Sequence, residues 1–355
     1  MKIVHVVPLL LSIPPQGYGG IERHTYELAR RQRAAGHSVE LLGVTIGSVD
    51  DLVHRPSSIV HRPSAPSLGD PTADEWQTAN LGRLISSHRA TLESADIVHN
   101  HCVQAQPILH AVDATVVTSV HGDPQSDPGR TTYQVFPEHP YIALSAHQRA
   151  RGVPGQNWIA TVPCGIDLDF YRPADPALRE DYFLHMASFC TRKGTLAAIE
   201  IARAAGRPIR LVGRSAPDEP GFLEDRILPL VDGNSVIYDG ELGDEAKLGL
   251  LQRAAALVHP IDWPEPFGLV FIEALACGTP VLTLERGAVP ELVRDGSAGI
   301  VAKSLAELTE AALDLPPFDP GTCRETVAHL STEAMADAYE AAYRSVLEGR
   351  PFPPS

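Results

Sequence analysis

Apolar positions along this chain recur with two alternating periods. Short, nearly continuous apolar runs at Lys2 to Leu10, Ser38 to Val44, Ala95 to His99, Thr115 to His121, Tyr141 to Leu144 and Trp158 to Val162 read as strands covered on both faces. Between the first two lies a loop of turn residues, Pro14 to Gly20. After it Ile21, His24, Thr25, Leu28, Ala29 and Ala35 recur at helical spacing, and Glu22, Arg23, Glu27, Arg30 and Arg31 are assigned to the outer face. Gly36-His37 ends this helix. The order strand, glycine loop, helix, strand is a βαβ unit, whose glycine turn and helix start face a ligand at the carboxyl end of the first strand.

A second series of runs begins after the turn-rich segment Pro163 to Pro173. Strands are expected at Tyr182 to Ala187, Ile209 to Gly213, Ser235 to Tyr238, Ala256 to His259 and Thr279 to Leu284, with helices between them. A last amphipathic helix, Thr332 to Leu347, shows its apolar stripe at Met335, Ala338, Tyr339, Ala342 and Val346. The fold class is α/β: two doubly wound parallel sheets, with one domain over residues 1–168, rejoined by a terminal segment 331–355, and a second over 169–330.

The densest stretch runs from Asp262 to Leu282. Pro264 and Pro266 keep the chain out of helix until Phe267, after which Leu269, Val270, Phe271, Ile272, Ala274, Leu275 and Ala276 are apolar around most of the circumference, as in a buried helix. Cys277-Gly278 stops it. Two carboxylates interrupt this setting, Glu265 ahead of the helix and Glu273 inside it. A buried carboxylate is costly without a hydrogen-bond donor, so Glu273 needs a dedicated partner. The amides of Phe267 to Val270 form a helix start that attracts anions. An acceptor of hydroxyl protons beside a phosphate site suits a nucleotide sugar; the competing reading is an internally paired Glu273 and a solvated Glu265.

Composition narrows the function. A net charge of −15 over 355 residues excludes a generic nucleic-acid groove and a strong hold on anionic lipid. Arg23, Arg30, Arg31 and Arg33 are interleaved with Glu22 and Glu27 and read as a solvated helix face. Of 29 basic residues, four are lysines, at 2, 193, 247 and 303. The 5 cysteines, at 102, 164, 190, 277 and 323, are scattered without a CxxC pair, which favours a reducing compartment and no structural zinc. The N-terminal apolar run lacks a small-residue cleavage site and is interrupted by His5 and Pro8, so it reads as a strand, and no run approaches a membrane span. The expected location is the cytoplasm.

Several residues could be mistaken for metal ligands. His99 and His101 sit at one strand end and His121 at the next, but no carboxylate or cysteine completes a recognisable ligand spacing, and no metal is expected. Asp167-Leu168-Asp169 lies in the linker and reads as a capped turn. Residues 47–75, rich in Pro, Ser, His and Asp, read as an extended surface segment, and residues 122–140 as a polar loop.

The motifs, taken in order, resemble one family. Glu-Pro-Phe-Gly-Leu-Val-Phe-Ile-Glu, from Glu265 to Glu273, resembles the E-x7-E signature of the retaining GT-B glycosyltransferases of family 4. Gly19-Gly20-Ile21-Glu22-Arg23-His24 with Glu27-Leu28-Ala29, Ala95 to His101, Val120-His121-Gly122, Val162 to Asp167, Gly278-Thr279-Pro280-Val281 and Pro290 to Gly296 resemble further segments of that family in the same order. The resemblance covers nearly the whole chain, including the final helix, which in the family crosses back onto the first domain.

It implies two Rossmann-like domains facing each other across a cleft, the first holding the acceptor and the second the nucleotide sugar. It further implies a metal-independent hexosyltransferase with no cofactor beyond its co-substrate. Glu273 would bind the ribose hydroxyls, Glu265 the transferred sugar, and the amides of Phe267, Gly268, Leu269 and Val270 the phosphates. Lys193 would neutralise the departing diphosphate, Gly19 and Gly20 would approach it from the other domain, and His121 would touch the donor sugar near the reacting carbon. The nucleobase would lie near Gly213 and the turn Asp239-Gly240-Glu241-Leu242.

Two positions depart from the family pattern. Ser188 stands where an arginine is usual, with Arg192 as its candidate replacement, and Cys164 replaces an asparagine. The expected partners are a nucleotide sugar and a small soluble or saccharide acceptor, without nucleic acid and without stable membrane insertion. Rival readings are an epimerase or phosphorylase on the same fold, or a sugar-nucleotide sensor without turnover, which Ser188 would favour.

Overall fold

The computed structural model describes the chain apart from residues 16, 18, 46–52, 55–69, 71 and 351–355. It divides into two compact units, Met1–Gly165 with the chain from Thr332 onward, and Ile166–Ser331.

The first unit is built on a seven-stranded parallel sheet. In spatial order its strands are Val53–His54, Ser38–Leu42, Lys2–Val6, Ile97–Asn100, Val116–Ser119, Tyr141–Ala143 and Trp158–Thr161. Side chains alternate across a strand, so the two faces carry different residues. Val4, Val6, Leu42 and Val98 pack with Leu81, Leu84 and Ile85 of the helix Ala73–Ser87. On the other face Ile3, Ile97, Val117, Ile142 and Ala160 pack against Met335, Tyr339, Ala342 and Tyr343 of the terminal helix Thr332–Leu347. The register pairs His5 with His99, which puts both imidazoles on the face beneath that helix. The helix Gly20–Ala34 lies beside the terminal helix and holds it through Arg31, which pairs with Glu333 at 2.5 Å and donates from Nε to the Thr332 hydroxyl at 2.9 Å.

The second unit holds a six-stranded parallel sheet. Its spatial order is Val236–Gly240, Ile209–Ser215, Phe183–Phe189, Ala256–His259, Val281–Leu284 and Gly299–Ala302. Counted along the chain, that order runs outward in both directions from Phe183–Phe189, the arrangement of a dinucleotide-binding sheet. Ligands bind such sheets outside the carboxyl ends of the strands where the order reverses. Here the reversal lies between Phe183–Phe189 and Ala256–His259, whose carboxyl ends lead directly into the segments carrying Lys193 and Glu265.

Several sequence expectations need correction. Glu22 is buried, where the helical pattern assigns it to the outer face, because Gly19 and Pro15 fold back over the start of the helix. The segment 47–75 lies mostly outside the described residues, but Val53–His54 pairs as a sheet-edge strand and residues from Ala73 onward are helical. The strand expected to end at Ala187 runs on to Phe189, so Ser188 is a strand residue. Asp239 and Gly240 close a strand where a turn is expected, and Arg210 grips the Asp239 carboxylate through two nitrogens.

Candidate active site

The second unit brings Lys193, Glu265 and Glu273 to one end of its sheet. Lys193 ends a short turn, Thr191–Lys193, closed by Gly194 at φ 72°. A Cβ there would stand 2.1 Å from the Pro260 carbonyl, so only glycine lets the turn press against the neighbouring loop. The Asp262 amide donates to the Arg192 carbonyl at 2.8 Å and ties the two loops together. Across this seam the Lys193 ammonium meets Glu265 Oε2 at 2.5 Å, and the Trp263 indole N–H donates to the same oxygen at 2.7 Å. The ammonium also lies 5.0 Å from the centre of the Trp263 ring, an additional cation–π contact. Behind Glu265 its carbonyl accepts from the Ala288 amide at 2.9 Å, and any Cβ on Gly287 would strike the Glu265 backbone at 2.3 Å.

The helix Leu269–Ala276 begins immediately after this cluster. Gly268 caps it at φ 106°, two residues later than the apolar pattern suggests, and its missing side chain leaves room for the Phe271 ring. Phe267 is buried while Gly268, Leu269 and Val270 are half-buried, so the start of the helix is accessible. Glu273 is buried one turn further in. The partner its burial demands is Tyr171, whose hydroxyl donates to Oε1 at 3.2 Å. Tyr171 is itself fixed by Arg324, which donates to the carbonyls of Tyr171 at 2.6 Å, Ala276 at 3.0 Å and Leu168 at 2.7 Å.

Arg192, the candidate replacement for an arginine at 188, is engaged by protein groups here. Its guanidinium lies 5.3 Å over the Trp263 ring and is ion-paired with Asp218. The Ser188 hydroxyl is buried without a hydrogen-bond partner among the described residues. Gly213 and Leu242 are set by other contacts. Gly213, at φ 144°, allows its strand to approach the Ala187 carbonyl and accepts from the Tyr238 hydroxyl at 2.9 Å, and Leu242 is half-buried in the turn before the helix Asp244–Arg253.

In the first unit Gly19 and Gly20 lead into the helix Gly20–Ala34, with Gly19 at φ 151° against Pro15 and the Glu22 carboxylate. His121 belongs to a group of five histidines, with His5, His24, His99 and His101. His5 Nδ1 lies 3.0 Å from His101 Nε2, and His101 Nδ1 lies 3.0 Å from His121 Nε2. Two trios, His5/His99/His101 and His24/His101/His121, place ligand-type nitrogens within 4.8 Å of one another. Sequence spacing could not show either trio, because His5 and His24 arrive from distant strand and helix positions. Burial pushes His5 and His121 down to about 4. Burial, followed by the neighbouring imidazoles, holds His24, His99 and His101 well below the ordinary value. The cluster is therefore neutral at pH 7.

Two parallel sheets, one in each unit, with Lys193, Glu265 and Glu273 at the switch point of the second, fit a glycosyltransferase of GT-B fold. Known proteins agree. Residues 18–170 match the profile described as Glycosyltransferase Family 4, and residues 172–315 match Glycosyl transferases group 1. The chain thus resembles the family 4, group 1 glycosyltransferases over both of its units. It is 28% identical over 97% of its length to a D-inositol 3-phosphate glycosyltransferase of Mycobacterium avium, 93% of which is covered. Among solved structures, it superposes with a TM-score of 0.70 on AviGT4, a glycosyltransferase involved in avilamycin A biosynthesis, at 24% identity over 99% of this chain and 100% of that one. Anabaena HepE in complex with UDP and glucose gives a TM-score of 0.75 at 18% identity, with 97% of this chain and 100% of that one covered. No helix among the described residues is long and apolar enough to cross a membrane.

Proposed function

We propose that the chain transfers a hexose from a nucleoside diphosphate sugar to a hydroxyl of a small polar acceptor, with the anomeric configuration retained. The observation that carries this reading is the Lys193–Glu265 pair at the foot of an accessible helix start, with Glu273 buried one turn behind it. An incoming diphosphate is a stronger anion than one carboxylate and competes for the Lys193 ammonium, while the helix amides take its remaining oxygens. Glu265, released from the ammonium, then accepts hydroxyl protons of the sugar. Glu273, which has a Tyr171 donor and no cationic partner among the described residues, keeps acceptor capacity for the ribose diol.

The bond from the anomeric carbon to the diphosphate oxygen breaks, the acceptor oxygen bonds to that carbon on the same face, and the acceptor proton passes to the departing phosphate. Lys193 and the helix start stabilise the charge that develops there, and preorganised stabilisation of this kind usually lowers the barrier more than any other single effect. The protein needs no divalent metal for this step, since fixed cation and amides meet the charge. The D-inositol 3-phosphate glycosyltransferases among the relatives make a phosphorylated polyol the first acceptor class to test, and the HepE complex makes UDP-glucose the first donor. The five buried free thiols fit a reducing compartment such as the cytoplasm.

The test is an acceptor-dependent assay of UDP release in excess EDTA, with NMR of the product's anomeric proton. Retention and EDTA resistance support the proposal. An inverted product or a strict metal requirement would remove it, and donor binding without UDP release across many acceptors would favour the sensor alternative.

A further inference from the structure

The buried histidines of the first unit form one hydrogen-bonded system rooted in a single amide. Gln32 is buried in the helix Gly20–Ala34 and reaches two arms. Along the first arm, Gln32 Oε1 meets His5 Nε2 at 2.8 Å, His5 Nδ1 meets His101 Nε2 at 3.0 Å, and His101 Nδ1 meets His121 Nε2 at 3.0 Å. Along the second, Gln32 Nε2 donates to the Tyr343 hydroxyl at 3.2 Å and Tyr343 meets His99 Nδ1 at 2.7 Å. His99 Nε2 then meets the Ser119 hydroxyl at 2.8 Å, Ser119 meets the Tyr339 hydroxyl at 2.9 Å, and Tyr339 meets His24 Nε2 at 3.1 Å.

A neutral imidazole has one N–H and one bare nitrogen, and a hydroxyl has one proton to give. Each bond in a chain of such groups therefore fixes the direction of the next. Starting from Gln32 Oε1 as acceptor, His5 must donate from Nε2 and accept at Nδ1. His101 must do the same, and His121 is then protonated at Nε2 and bare at Nδ1. Starting from the Gln32 N–H, Tyr343 gives its proton to His99 Nδ1, His99 donates from Nε2 to Ser119, Ser119 donates to Tyr339, and Tyr339 donates to His24 Nε2. His24 is then protonated at Nδ1, the nitrogen of that ring without a partner among the described residues. Reversing the amide would reverse every bond in both arms.

We propose that Gln32 acts as the positioning residue of the first unit: it couples the tautomers of His121 and His24 so that their outer Nδ1 atoms always differ in character, and holds His121 Nδ1 bare as a hydrogen-bond acceptor. His121 is the half-buried member of the chain, so this acceptor is the nitrogen available to a ligand, and it selects a ligand hydroxyl over an anionic oxygen. That a carbohydrate hydroxyl is the ligand rests on the function proposed above; the tautomer coupling does not. A carbohydrate hydroxyl is the ligand class that a bare imidazole nitrogen recognises, whereas a protonated one would bind phosphate equally well.

The test is long-range ¹H–¹⁵N correlation spectroscopy of the histidine-labelled full chain at pH 7, with assignment by single His→Gln variants. We expect His5, His101 and His121 all as Nε2–H and His24 as Nδ1–H. Finding His24 and His121 in the same tautomer, or two tautomers within the first arm, would overturn the coupling. Gln32→Met should leave the ring nitrogens of His121 sharing the proton, seen as averaged shifts, and lower kcat/KM about 10-fold with the melting temperature shifted by only a few degrees. A Gln32→Met protein in which His121 keeps a pure Nε2–H signal would refute the role of the amide whatever its activity, and a tautomer change without loss of kcat/KM would leave the coupling standing and refute its use in recognising a carbohydrate hydroxyl. The spectrum of the unaltered protein decides the coupling even if that variant does not fold.

Discussion

Removing the Lys193 ammonium should damage catalysis far more than folding, and the two effects can be separated. The ammonium sits 2.5 Å from Glu265 Oε2, with side-chain exposures of 18% and 13%, so the pair is partly screened. Breaking a fully buried pair costs about 3–5 kcal/mol, and an exposed one under about 1 kcal/mol. The expected stability loss for Lys193→Met is accordingly about 1–2 kcal/mol, because the Trp263 N–H still holds the carboxylate. For units of this size that lowers Tm by about 2–8 °C. Loss of one fixed partner for a developing charge is worth about 3–4 kcal/mol in the transition state, or about 10²–10³ in turnover. The assay is nucleoside diphosphate release at saturating donor, run beside thermal unfolding.

The companion variant Lys193→Met with Glu265→Gln removes the uncompensated carboxylate and should recover most of the lost Tm while leaving turnover down. Turnover within about threefold of the unaltered enzyme, or activity returning with Tm in the double variant, would refute the assignment of Lys193 to the leaving group.

Three further outcomes follow from the same geometry. Glu273→Gln should raise KM for the nucleotide sugar about 10-fold with kcat little changed, whereas Tyr171→Phe, which removes only the internal donor at 3.2 Å, should change KM less than about threefold; equal effects would mean that the Glu273 carboxylate serves structure alone. Burial raises the Glu22 carboxyl from 4.5 to about 7, against a smaller lowering by its own backbone amide. The folded state therefore keeps that proton while the unfolded chain releases it, and stability should fall by about 3 kcal/mol as pH rises from 4.5 to 7, a slope that urea titrations should find abolished in Glu22→Gln. The histidines work in the opposite sense. His5, His121, His139 and His185 are lowered to about 4, chiefly by burial, so the unfolded chain takes up protons that the fold refuses, and stability should be lost as pH drops from 6.5 toward 4. Acid unfolding monitored by circular dichroism should be steep, with uptake of several protons; a shallow one-proton transition would contradict it.

The chain's hydrophobic periods are enough to lay out both sheets and the terminal helix, since continuous apolar runs and a helical stripe are local signals. Thr332–Leu347 and Ala256–His259 have the bounds the pattern gives. Element ends are less legible where tertiary contacts decide them. The helix start at Leu269 depends on the left-handed Gly268, and the extension of a strand through Ser188 depends on pairing with Arg214. Periodicity puts Glu22 on the wrong face because it cannot register a loop folding over the first turn.

At the site, Lys193, Glu265 and Glu273 stand out as charged residues in apolar or glycine-rich surroundings, so the sequence can nominate them. Their partners it cannot. Tyr171 is 102 residues from Glu273, and Gly287 supports Glu265 only through backbone contact. Trp263, two residues before Glu265, is the exception: an indole beside Pro264 in a charged loop is a local signal for a donor to the neighbouring carboxylate. The histidine system shows the same limit. His99, His101 and His121 are visible as strand-end residues, but Gln32, Tyr339 and Tyr343, which organise them, carry no marking in the sequence and meet them only through sheet register and helix packing.

All of the chemistry proposed for this enzyme requires a nucleotide sugar's diphosphate to be held at the helix start from Phe267 to Val270, beside Lys193 and Glu273. A crystal structure of the full chain with UDP-glucose would show this without intermediaries. We expect the diphosphate oxygens on those amides, Lys193 Nζ moved from Glu265 onto phosphate, and the ribose hydroxyls on Glu273. A donor bound elsewhere, or bound here with the Lys193–Glu265 pair intact and Glu273 contacting Tyr171 alone, would contradict the proposed mechanism.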